Sequence, residues 1–140
     1  SYTITEEMKE AMKDFAGGYA TEAQTAQEIR TVYEKSGYVL DPHTAVASYV
    51  YHTWKAQNHP TAPAVIASTA SPFKFARSVM SAIDSKYDGM EDFSLIDELC
   101  RISGVKVPKA VEEIRTAPVL HDKVIETNEM RQAVKDFLGM

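Results

Sequence analysis

Two stretches of this chain set a helix-capping residue directly before a proline at the end of a β-prone apolar run: "YVLDPHTAVAS" (38–48) and "AVIASTASPFKFA" (64–76). Nothing else in the sequence constrains the fold as tightly. Proline is excluded from a helix interior and from a central strand, but it fits the first helical position, where its missing N–H costs nothing. Asp41 and Ser71 are good N-caps for the helices that follow. Each pair therefore forces a corner, with an extended segment before it and a helix after it. The runs at 38–40 and 64–68 are short, apolar and β-branched, which suits buried parallel strands. A right-handed crossover between them brings both helix starts to the same sheet edge. Such an edge attracts anions through free N–H groups and the positive end of the helix dipole. Taken alone, the corners are read more simply as two well-capped helices.

Between and around the corners the chain reads as helix. "TITEEMKEAMKDF" opens at Thr5 and spaces Met8, Met12 and Phe15 along one face. "AGGYA" breaks it, since paired glycines are poor helix formers. A second helix from Thr21 carries Ile29, Val32 and Tyr33 and ends at Gly37. "HTAVASYVYHTWKAQN" is a third, and "SPFKFARSVMSAIDSK" a fourth after the second corner. "YDGMED" turns the chain into "EDFSLIDELCRISG", which ends at Gly104. A short helix follows Pro108, and "VIETNEMRQAVKDFLGM" closes the chain as helix. The expected fold class is thus α/β but predominantly helical, with six or seven helices and two short parallel strands near 38–40 and 64–68. Two strands do not make a sheet covered on both faces. Either the chain is mainly helical around a strand pair, or a larger protein supplies the missing strands.

The 140 residues suffice for one core. Fifteen Lys and Arg against 20 Asp and Glu leave a net charge of −5, which argues against nucleic acid as a partner. No apolar run approaches the about 18–20 residues that cross a bilayer, and the N-terminal stretch lacks a signal-peptide layout. The single Cys100 makes no internal disulfide, so a reducing cytosol is the expected compartment. At an apolar helical position without a nearby His, Cys100 reads as a buried small residue rather than a nucleophile. His52 and His59 share a helix face, but no carboxylate or Cys in sequence completes a metal set. His121 has no evident partner, and Tyr49, Tyr51 and Trp54 read as packing residues.

"STAS" places three hydroxyls within four residues at the second corner, where they can cap, turn or meet a ligand. With "IRTVYEKSGYVLDPHTAVA" before it and "STASPFKFA" after, residues 15–85 resemble the C-terminal region of threonine synthase; the remainder resembles it loosely. That family comprises pyridoxal-phosphate enzymes of the tryptophan-synthase-β-like fold (fold type II). It carries Asp-Pro-His-Thr-Ala-Val, then a strand ending in Thr-Ala-(His/Ser)-Pro-x-Lys-Phe. The resemblance implies that Thr69 meets the pyridine nitrogen of pyridoxal 5'-phosphate, and that Asp41, His43, Thr44, Ser71 and Lys74 line the same cleft. Asp41 is at least as well explained as a structural cap, and Lys74 divides evenly between the site's positive field and a plain surface role. It also implies that the lysine which bonds the cofactor covalently, and the glycine-rich loop around its phosphate, lie in an N-terminal half. None of the ten lysines here sits in such a motif, and "AGGYA" is too short for the loop.

The expectation is therefore a single C-terminal fragment, 1–140, of a larger cytoplasmic enzyme, inactive alone. The parent would convert O-phospho-L-homoserine and water to L-threonine and phosphate. Its partners would be the rest of the enzyme, the phosphorylated amino-acid substrate and, through surface left exposed, a second copy. No metal and no membrane enter this reading. Two alternatives stand beside it: a serine/threonine dehydratase-like relative, and a stand-alone helical interaction domain without chemistry.

Overall fold

A computed structural model describes residues 2–140. Among the described residues seven α-helices follow one another: α1 (Glu6–Ala11), α2 (Glu22–Ser36), α3 (Pro42–Asn58), α4 (Ala76–Ile83), α5 (Asp92–Ser103), α6 (Lys109–Ile114) and α7 (Met130–Leu138). Four of them make the core. Helix α4 lies at its centre, packed on α2 to one side and α5 to the other, while α3 packs against α2. Its apolar positions Ala76, Val79 and Met80 recur at i, i+3 and i+4, and all are buried. Leu95, Ile96 and Leu99 of α5 and Ile29 of α2 meet them. Burying each large side chain contributes about 1.5–3 kcal/mol.

The helix boundaries follow from capping chemistry. Thr21 forms a reciprocal capping box with Gln24 at the start of α2. Gly37 ends that helix at φ +72°, and Gly104 ends α5 at φ +67°, both left-handed positions that disfavour a side chain. Asp41 caps α3 with Pro42 in the first turn. Ser71 caps a 3-10 turn, Pro72–Phe75, that leads into α4. The fourth helix thus begins at Ala76 rather than at the corner itself, and the last one begins only at Met130.

The two expected strands do not form, which corrects the α/β assignment: among the described residues there is no strand, and the fold is helical. Residues 38–40 and 64–68 form no regular secondary structure, and neither finds a ladder partner. Val39 and Leu40 are buried against the helical core instead. Val65 is 96% exposed and Ile66 36%. A β-branched run becomes a strand only when a neighbouring backbone takes up its N–H and C=O groups. Here the first run packs its side chains on helices, whose backbone groups are already paired, and the second stands open to solvent.

Polar side chains tie the helices together. Arg30 Nε donates to the carbonyl of Ala82 at 2.9 Å, joining α2 to the end of α4. Arg77 donates to Asp92 and to the carbonyls of Asp88 and Met90, holding the turn before α5. Helices α1 and α7 bury no residue, and Met8, Met12, Val134 and Phe137 stay exposed.

Candidate functional site

The two corners meet. Asp41 is 1% exposed, and its Oδ1 accepts the backbone N–H groups of His43 at 2.9 Å and Thr44 at 3.2 Å. This is the helix start drawing on its own cap. The second oxygen, Oδ2, accepts the hydroxyl of Thr44. Thr44 Oγ1 is in turn 3.1 Å from Ser68 Oγ, which lies 3.5 Å from Asp41 Oδ2. A carboxylate on the first corner thus reaches the second through two hydroxyls, across 27 residues of sequence.

The remaining expected site residues divide. Thr69 is exposed and makes no hydrogen bond among the described residues. Ser71 is half-buried, and its oxygen accepts the N–H of Phe73 at 3.3 Å. It also lines a cleft of about 280 Å³ between the 37–39 segment, the second corner and the chain after α5. His43 turns outward, its ring centroid 5.1 Å from that of Phe75 and its Nδ1 3.6 Å from Asp41 Oδ1. Lys74 is exposed with its Nζ 5.5 Å from the Phe75 ring, and it borders a separate depression beside Asp92. Asp41, Thr44 and the second corner are therefore brought together, His43 lies next to them, and Lys74 stands apart.

Ser68 was missed as a functional residue by sequence reasoning. Of the three hydroxyls in "STAS", Ser71 reads as a cap and Thr69 as the motif residue, and only the fold shows that Ser68 faces Thr44. Glu28 was missed as well. It reads as one charge among many on α2, yet it is buried and accepts from Ser48 Oγ at 2.7 Å, with His52 Nδ1 at 2.8 Å. Its two partners lie one turn apart on α3, so a search of either helix alone would overlook the cluster. His52 thus has a carboxylate partner, although among the described residues no group of three or more His, Cys, Asp or Glu could hold a metal ion. His121 lies beside Phe137, their ring centroids 6.4 Å apart. Cys100 is half-buried on α5. Among the described residues no helix is long and apolar enough to cross a membrane.

Comparison with known proteins places this geometry in a family. The model of the family "Threonine synthase, C-terminal" matches residues 44–137, which takes in Thr44, the whole second corner and α4 to α7. Asp41 and His43 fall just before the matched span. Over 79 residues the chain is 38% identical to threonine synthase-like 1 of Homo sapiens, covering 56% of this chain and 10% of that protein. It is 35% identical over 103 residues to threonine synthase of Saccharomyces cerevisiae, covering 69% of this chain and 20% of the relative. With threonine synthase of Corynebacterium glutamicum it shares 32% over 82 residues, covering 59% and 17%. The chain spans no more than a fifth of the length of these relatives.

Proposed function

The chain belongs to the threonine synthase C-terminal family, and from that premise we propose that it works as part of a pyridoxal-phosphate lyase. The enzyme converts O-phospho-L-homoserine and water to L-threonine and phosphate. This chain supplies one wall of the cofactor cleft and is inactive alone, with the remainder of the polypeptide as its partner. A second copy docking on exposed apolar surface and a cytoplasmic location belong to the same reading.

The observation that carries it is Thr69. Its hydroxyl is exposed and unpaired at a corner that Asp41 and Thr44 tether through Ser68. That fits a single hydrogen bond to the pyridine nitrogen. The rest of the cofactor finds no counterpart here. Gly18, half of the chain's only glycine pair, lies against Val50, where an added Cβ would come within 2.6 Å of Cγ1. It therefore lets the segment before α2 lie close against α3.

Pyridoxal phosphate, when bound, supplies an electron sink. What Thr69 contributes is the character of that sink: a hydroxyl, unlike a carboxylate, does not hold a full proton on the ring nitrogen. Asp41 orients the helix start and the corner and stays out of the cleft. His43, exposed beside the corner, supplies polar surface at the rim for a phosphorylated substrate, whereas Lys74, on a separate depression, contributes only to the surrounding positive field.

The test is phosphate release from O-phospho-L-homoserine with pyridoxal phosphate present. The isolated chain should release none, and the complete enzyme should lose most turnover on Thr69→Val while keeping its fold. Turnover by the chain alone, or an unaffected Thr69→Val enzyme, would overturn the reading. One observation favours a second reading, a helical interaction domain without chemistry: α2 to α5 close a core of their own. It predicts no dependence of any property on the cofactor.

A further inference from the structure

From Pro60 to Ala70 the chain makes no backbone–backbone hydrogen bond among the described residues. The only polar tether on this stretch is the Ser68 hydroxyl. Its direction follows from counting protons. A carboxylate only accepts, and a hydroxyl has one proton to give. Thr44 gives its proton to Asp41 Oδ2, so toward Ser68, 3.1 Å away, it acts as an acceptor. The one Ser68 proton then goes to Thr44 Oγ1 or, at 3.5 Å, directly to Asp41 Oδ2, and either way it faces inward. At the other end of the corner the Ser71 oxygen accepts the N–H of Phe73. Thr69 lies between Ser68, whose proton is turned inward, and Ser71, whose oxygen is taken up as a cap; among the described residues Thr69 itself makes no hydrogen bond.

We propose that Thr44 and Ser68 are positioning residues for Thr69: Asp41 polarises Thr44, Thr44 at 3.1 Å and Asp41 Oδ2 at 3.5 Å together orient Ser68, and Ser68 pins the corner so that the Thr69 hydroxyl is presented at one place. The inference deepens the reading of Thr69 as the contact to the pyridine nitrogen and rests on it for its functional meaning. The mechanical part stands on this chain alone. An untethered corner would let Thr69 sample many positions, and a hydrogen bond to a ring nitrogen tolerates little displacement.

Nitrogen-15 relaxation on the isolated chain tests the tether. Thr44→Val keeps the shape of the side chain and the backbone N–H to Asp41 but removes the relay. Order parameters at Ser68, Thr69 and Ala70 should fall from about 0.8 toward about 0.6 while those of α3 hold. Ser68→Ala should do the same, and Thr44→Ser, which restores a hydroxyl, should recover the order. Unchanged order at 68–70 in Thr44→Val, or loss spread over α3, overturns the proposal whatever the cofactor does. The second arm uses the complete enzyme loaded with pyridoxal phosphate and reads cofactor absorption. Ser68→Ala should shift the band in the same direction as Thr69→Val and by less. A shift with Thr69→Val and none with Ser68→Ala overturns the positioning role. If neither shifts the band while the order is lost, the tether is upheld and the cofactor reading of Thr69 falls.

Discussion

Replacing Asp41 by alanine should be among the most costly single changes outside the apolar core, and the structure says by how much. The carboxylate accepts two backbone N–H groups at the start of α3 and the hydroxyl of Thr44, all in a place that is 1% exposed. Loss of an N-cap costs about 0.5–2 kcal/mol. Leaving the buried Thr44 hydroxyl without its acceptor adds about 1–3 kcal/mol. Because both terms draw on the same carboxylate they overlap, and a total of about 2–4 kcal/mol is expected. Asp41→Asn keeps an acceptor for both N–H groups and lets its amide donate to Thr44, which turns the hydroxyls around; about 1 kcal/mol is expected for it. Thr21→Ala provides the reference, since Thr21 is also an N-cap but an exposed one. It should cost about 1 kcal/mol. Urea unfolding followed by far-ultraviolet circular dichroism measures all three, with the slope unchanged between variants if only the native state is affected. Equal losses for Asp41→Ala and Thr21→Ala would refute the reasoning, because burial would then add nothing to the cap. So would equal losses for the alanine and asparagine variants.

Three further outcomes can be checked on the same chain. Leu99→Ala, at a site with no exposure, should cost about 2–5 kcal/mol, whereas Leu138→Ala, at 61% exposure, should stay within about 0.5 kcal/mol in the same urea titration. Glu28→Ala should cost about 2–4 kcal/mol by leaving Ser48 buried without its acceptor, and adding Ser48→Ala should recover part of that loss in a double-mutant cycle. Asp84 is held below the ordinary carboxylate range by the N–H and then the side chain of Lys86, and Glu98 by Arg101. A depressed carboxylate stabilises the fold above its unfolded pKa and loses that contribution as the pH falls through its folded value. Unfolding midpoints should therefore drop as the pH falls below the ordinary carboxylate range of about 4, and less so in Asp84→Asn; an identical drop would dismiss Asp84 as a contributor.

The helices were legible because their signals are local. Thr21, Asp41 and Ser71 cap whatever follows them, and Gly37 and Gly104 stop a helix by taking up a left-handed φ. Each of these acts within one turn, so no distant partner is needed to read it. The strands were misread for the opposite reason. "AVIAS" has the composition of a buried strand, but strand formation depends on a second backbone, and this run stands open to solvent without one. The candidate site was half legible. Asp41 and Thr44 stood in a recognisable stretch, Thr69 and Ser71 were marked by the motif and by capping, and Ser68 had no signal of its own until the corners were set side by side.

By itself, then, the sequence determined where the helices begin and end, which residues cap them, and which family the two proline corners resemble, since all of this is written in neighbours a few positions apart. Only the tertiary structure decided that Asp41 reaches Ser68, that Glu28 is buried between Ser48 and His52, and that the 64–68 run stands open to solvent. Those facts depend on which helix packs against which. Hydroxyls and carboxylates can bond to many partners, and packing alone selects one.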